Sequence, residues 1–148
     1  MTEALEEAGQ AALAGEVPAG AVVAAPDGRV VGRGRNRTAA LSDPTAHAEI
    51  QALRAAGAAM ANYRLTGFML FCTLEPCPMC LTAAVHARLG LVVYGAREPK
   101  WGAAGSLTDL AAWPGLNHRV AVRGGLLAEE CAALMKDFFK LRRSRSSD

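Results

Sequence analysis

Residues 20–36 read GAVVAAPDGRVVGRGRN. Two apolar, β-branched runs flank Pro26-Asp27-Gly28, where proline presets one backbone angle and glycine supplies the positive φ of a tight turn. The segment is therefore a hairpin, with strands expected over 20–25 and 29–36. Three more apolar runs follow: FMLFCT (68–73), LVVYGA (91–96) and RVAV (119–122). Helical spacing is found over 2–14, 46–59 with Thr45 as its N-cap, about 77–88, 107–113 and 128–142. Residues 37–44 read as a loop and 97–106 as a Gly-rich loop. Strands that alternate with helices after an opening hairpin predict an α/β fold. Three layers are expected, α-β-α, with a five-stranded mixed sheet and helices on both faces.

A length of 148 residues, 51% apolar and 20% charged, suits one domain with one core. Residues 1–143 are expected to form that domain, and 144–148 a disordered tail. The acidic start MTEALEEAGQ has no apolar h-region, and no run approaches the roughly 20 apolar residues that span a bilayer. A cytoplasmic protein without a membrane partner is the expectation, so Cys72, Cys77, Cys80 and Cys131 do not read as a disulfide framework. Charge is uneven: Glu3, Glu6, Glu7 and Glu16 lie at the start, and Lys136, Lys140, Arg142, Arg143 and Arg145 near the end. A basic end fits either a solvated helix terminus or an acidic partner such as RNA.

The chemistry centres on TLEPCPMC (73–80). Cys77 at an N-cap puts Pro78 at the first helical position, where its missing N–H does no harm. Cys80 then shares a face with Cys77, and the helix terminus favours thiolates. Thiolates so placed serve redox chemistry or a metal. PTAHAEI (44–50) decides between them. His47 also opens a helix after a loop, and helix N-termini gather beside strand ends in α/β sheets. One nitrogen and two sulfurs make a zinc set that leaves one position open, as catalytic zinc does. Cys72, in an apolar strand, and Cys131, in a helix, read as buried small hydrophobes. Glu49 lies about 200° around a helix from His47, so the two meet only at a helix start, approached end-on. A carboxylate there can take a proton from a zinc-activated water.

H-A-E followed by P-C-P-M-C fits H-x-E…P-C-x-x-C, the signature of zinc nucleobase deaminases. EVPAGAVV (16–23), Asn36 in GRGRN, DPTAHAEI (43–50), YRL (63–65), KWGAAGSL (100–107), LNHRV (116–120) and LLAEECAALMKDFFKLRR (126–143) together resemble the bacterial tRNA-specific adenosine deaminases, within the cytidine-deaminase superfamily. The resemblance runs from Glu16 to Arg143. It implies hydrolytic deamination of the wobble adenosine of a tRNA anticodon to inosine, in an arginine tRNA. It also implies a homodimer with one Zn2+ per subunit and no organic cofactor. His47, Cys77 and Cys80 match the metal ligands and Glu49 the proton shuttle. Asn36 and the backbone N–H of Ala48 match contacts to the target nucleoside. Lys100, Arg142 and Arg143 match candidate contacts to the anticodon stem-loop. His86 and His118 match family positions with a structural or interface role.

Arg33, Arg35 and Arg37 alternate on one strand face, toward solvent or phosphate, with Asn36 on the other. Phe138 and Phe139 fit either a core or a stacking role. Glu98 stands where the family has Asp, Pro99 stiffens its loop, and Ala19 replaces a usual Val. Trp101 stands where the family has a small residue; it either stacks on a base or fills part of a groove. A zinc deaminase of free guanine or cytosine is the alternative, supported by PCPMC. A zinc-stabilised RNA-binding module without activity would leave Glu49 without a purpose.

Overall fold

The computed structural model describes residues 1–145. Five strands form one sheet in the order β2-β1-β3-β4-β5. They are β1 (Gly20–Ala24), β2 (Val30–Arg35), β3 (Met69–Leu74), β4 (Leu91–Ala96) and β5 (Ala121–Gly124). β1 pairs antiparallel with both β2 and β3, whereas β3–β4 and β4–β5 are parallel. The predicted hairpin forms: the Gly28 N–H donates to the Ala25 carbonyl at 2.8 Å, with Gly28 at φ 88°. Asp27 Oδ1 accepts from the Arg29 N–H at 2.9 Å and fixes the return.

Helices α1 (Thr2–Leu13) and α5 (Ala128–Arg145) cover one face of the sheet. Helices α3 (Ala48–Met60) and α4 (Pro78–His86) cover the other, burying Ala52, Ala56, Leu81, Ala84 and Val85 against Leu70, Val92 and Tyr94. The mixed sheet and its two helical layers are those expected from the sequence.

β2 explains how closely α3 sits. A Cβ on Gly32 would strike the Ala52 carbonyl, and one on Gly34 the Ala48 carbonyl and the Ala52 nitrogen. The strand's G-R-G-R alternation thus gives α3 a bare face. The opposite face carries Arg33 and Arg35, which face α1. Arg33 pairs with Glu3 of α1 at 2.9 Å, and Arg35 with Glu7 at 3.2 Å. Pairs this exposed contribute at most about 1 kcal/mol each. Arg37 lies beyond the strand, where its N–H donates to the Ala46 carbonyl at 3.0 Å.

Five local expectations are corrected. A short helix α2 (Thr38–Leu41) forms within the segment read as loop, because Glu16 accepts its free N–H groups, from Ala40 at 2.7 Å and Ala39 at 3.3 Å. Thr45 is not the N-cap of α3. Its N–H and hydroxyl both donate to Asp43 Oδ1, at 2.8 and 2.7 Å, and His47 takes the N-cap. The segment 107–113 yields only a single 3-10 turn, Leu110–Ala112. The last strand starts at Ala121, two residues later than read, where its N–H first reaches the Gly90 carbonyl at 3.1 Å. α5 also runs through Ser144 and Arg145, part of the segment expected as a tail. The remainder of that segment, 146–148, lies outside the described residues.

Candidate active site

The site lies where β2 and β3 end and α3 and α4 begin. Cys77 is the N-cap of α4 with extended backbone (φ −72°, ψ 171°) and Pro78 follows at N1, as the sequence predicts. His47 has the same extended backbone at the N-cap of α3 (φ −69°, ψ 154°). His47 is therefore outside the helix proper, which frees it from the 200° offset. Its ring and the Glu49 side chain both approach Cys80 Sγ, at 3.6 and 3.5 Å, from the start of the helix.

His47 Nδ1 lies 3.6 Å from Cys77 Sγ and 3.6 Å from Cys80 Sγ. All three donor atoms fall within 4.8 Å of one another. A tetrahedral zinc with Zn–S about 2.3 Å and Zn–N about 2.05 Å has N···S edges of about 3.6 Å. The donors fit such an ion in spacing as well as in kind. Cys72 does not join them: it is buried in β3, its thiol donating to the Val93 carbonyl at 3.7 Å. Cys131 is buried in α5, against Gly95 of β4. Both are packing residues, as read.

The Cys80 thiol and the His47 ring both donate toward Cys77, and together outweigh burial to bring its thiol down to about 4. The same contact with Cys77, with burial, pushes Cys80 up. Contact with Cys77 also raises His47, against burial and with help from the Glu49 charge. A dication held by these sulfurs would bind them as thiolates and release their protons. Glu49 is 6% exposed and accepts from Cys80 Sγ at 3.5 Å. Burial raises its pKa above the usual carboxylate range. A carboxyl beside these donor atoms is placed to accept a proton and return it.

His47, Cys77 and Glu49 face a cavity of about 660 Å³ whose wall includes Asn36, Ala48, Glu75 and Trp101. Asn36 is buried, and its amide nitrogen donates to Glu16 Oε2 at 3.1 Å and to Thr38 Oγ1 at 3.3 Å. The Glu16 carboxylate can only accept, so the Asn36 NH2 must face it, leaving Oδ1 for another donor. The Ala48 N–H opens α3 and has no intrahelical partner.

Glu75 is the site residue that the sequence reading missed. It is 2% exposed and accepts from the backbone N–H groups of Glu98 (3.1 Å), Ala104 (3.1 Å) and Ser106 (3.0 Å). The Ser106 hydroxyl donates to it as well. Burial would raise its pKa, but the Ser106 hydroxyl and these N–H groups outweigh burial and hold it low. Glu75 therefore organises loop 97–106. Its signal was a carboxylate beside Pro76-Cys77, where an apolar strand would otherwise end.

Lys100 and Arg143 border a second groove of about 530 Å³ beside α5, together with Arg97, Lys136 and Phe139. Leu74 and Glu98 belong to both groove and cavity, so the two adjoin. Arg142 lies outside that groove, its guanidinium 5.7 Å from the Phe138 ring. Phe138 is a core residue, and Phe139 is partly exposed, edge-on to it at 5.4 Å. His118 contacts the Leu89 carbonyl at 2.7 Å and His86 faces an apolar groove between α3 and α4; neither reaches the cavity.

The three layers and the His–Cys–Cys–Glu cluster at their strand ends define a protein of the nucleobase-deaminase class. A profile of MafB19-like deaminases matches residues 1–143. The chain is 44% identical to a tRNA-specific adenosine deaminase of Haemophilus influenzae over 97% of this chain and 83% of that protein. A solved structure from work on A-to-I editing by tRNA:A34 deaminases superposes with a TM-score of 0.87 at 45% identity, covering 90% of this chain and 96% of that one. The chain belongs to the MafB19-like deaminases, and among them to the tRNA-specific adenosine deaminases. It is also 52% identical, over 98% of its length, to a tRNA(Ile)-lysidine synthase of Deinococcus deserti. It spans only 27% of that longer relative.

Proposed function

We propose that the chain deaminates the wobble adenosine of a tRNA anticodon to inosine. The observation that carries this is the clustering of His47, Cys77 and Cys80 beside Glu49, with His47, Cys77 and Glu49 on the wall of one cavity that adjoins a cationic groove. Similarity to tRNA-specific adenosine deaminases supports a tRNA substrate, and we propose an arginine tRNA.

His47, Cys77 and Cys80 hold one zinc ion per subunit. Bound there, zinc is a Lewis acid that lowers the pKa of a water near the base. Glu49 accepts a proton from the attacking water and returns it at N1 of adenine. It then serves the departing amine, so that adenosine and water become inosine and ammonia. Asn36 Oδ1 accepts from the bound nucleoside, and the Ala48 N–H donates to it. Lys100, with Arg142 and Arg143, binds the phosphates of the anticodon loop. The protein acts as a homodimer; an apolar groove of about 540 Å³ between α3 and α4, with Ile50, Leu53 and Tyr63 on its wall, supports a second copy there.

Zinc-loaded protein is tested separately against a stem-loop with a wobble adenosine, free guanine and cytidine. Inosine in the stem-loop alone, lost in Glu49→Ala, is the expected result. Turnover of a free base with the stem-loop untouched would overturn the reading and leave a free-nucleobase deaminase.

A further inference from the structure

We propose that Trp101 is a stacking platform for the nucleobase next to the one deaminated, and so a determinant of which sequence the site accepts. The inference rests on the proposed activity and adds a specificity residue to it.

Trp101 is 65% exposed at the rim of the cavity that holds His47 and Glu49. An indole left this bare contributes little to a core. Yet its backbone is held on both sides. The Lys100 N–H donates to Glu98 Oε1 at 2.9 Å, and the Gly102 N–H to the Glu98 carbonyl at 2.8 Å. The Ala103 N–H reaches the Pro76 carbonyl at 2.9 Å, and Glu75 ties down Glu98 and Ala104. Gly102 packs so closely on the Glu75 carboxylate that a Cβ there would strike it. The ring is thus a broad apolar face on a preorganised arm, the arrangement that makes stacking inexpensive.

Its direction is as informative. Trp101 borders the cavity, whereas its neighbours Lys100 and Arg97 border the adjoining groove. A single strand whose target base enters the cavity would lay its phosphates along Arg97 and Lys100. The base beside the target then lies over the indole. Every base offers a π-face, and loss of one base–aromatic stack weakens binding about 5- to 150-fold.

The test uses the full, zinc-loaded chain with Trp113→Phe, which leaves Trp101 as the one tryptophan. Stem-loops carry the wobble adenosine with an intact or an abasic residue on each side of it. Quenching of Trp101 emission and the kinetics of inosine formation are read together. On the intact loop, Trp101→Ala is expected to raise KM about 5- to 150-fold with kcat kept, and Trp101→Phe to recover most of the loss. One of the two abasic loops should lose the quench and show the same rise in KM, with no further rise on adding Trp101→Ala. Unchanged KM in Trp101→Ala, or an equal penalty on intact and both abasic loops, would overturn the platform while leaving the activity standing. No inosine from the wild type would overturn both.

Discussion

His47 Nδ1 and Cys77 Sγ lie 3.6 Å apart across the gap between two helix N-termini, the edge length of a tetrahedral zinc site. Purified chain should carry about one zinc by elemental analysis. Altering a group that merely orients a ligand weakens metal affinity by roughly 10- to 100-fold. Cys77→Ser or Cys80→Ser removes a ligand and should cost about 100-fold or more in a competition titration. Retained stoichiometric zinc in Cys80→Ser would contradict the assignment.

Glu49→Gln keeps the shape of the side chain but cannot take up a proton. Activity on the stem-loop should fall by about 10²- to 10⁴-fold in kcat, with zinc content and stem-loop binding retained. Loss of zinc together with activity would instead make Glu49 a structural residue.

Glu75→Ala leaves the N–H groups of Glu98, Ala104 and Ser106 without their acceptor. A fall in stability of about 1–3 kcal/mol is expected by denaturant unfolding. KM for the stem-loop should rise more than kcat falls, because the loop rather than the metal loses its order. An effect on zinc affinity alone would place Glu75 in the wrong role.

Gly34→Ala and Gly9→Ala make a paired test of layer spacing. Gly34 faces the Ala48 carbonyl, so an added methyl must push away the start of α3, which carries His47 and Glu49. It should cost about 1–3 kcal/mol and weaken zinc binding. Gly9 meets nothing within 4 Å in α1, and alanine there should stabilise by about 0.5–1 kcal/mol. Thermal melts with and without zinc distinguish the two.

Lys100→Ala should weaken stem-loop binding to a similar degree for all loop sequences. It should also reduce the slope of log K against log salt by about 0.7, the value for one phosphate on a single strand. An unchanged slope would remove Lys100 from the phosphate path.

The parts of the molecule carried by local pattern were legible in the sequence. The hairpin announces itself in Pro26-Asp27-Gly28, and the clustering of His47, Cys77 and Cys80 in H-A-E and P-C-P-M-C. What was not legible depends on partners distant in sequence. Arg33 and Arg35 read as free cations until α1 supplies Glu3 and Glu7. α2 is too short to show helical periodicity and is nucleated by Glu16, more than twenty residues upstream. Thr45 is an ordinary N-cap residue by type, but Asp43 holds its hydroxyl. Beyond its place beside Pro76-Cys77, nothing local tells what Glu75 does, since its partners lie twenty or more residues downstream.

Glu75, Pro76 and Cys77 are consecutive, so one tripeptide ties down loop 97–106 and also places Cys77, a proposed metal ligand. The loop's course is fixed by its backbone amides, and the side chains of Lys100 and Trp101 are spared that task. Those positions are therefore open to exchange without retooling the chemical centre. Chemistry and taste are mounted on a common bracket but fastened separately, and new substrate preferences can be fitted to the loop while the catalytic centre stays as it is.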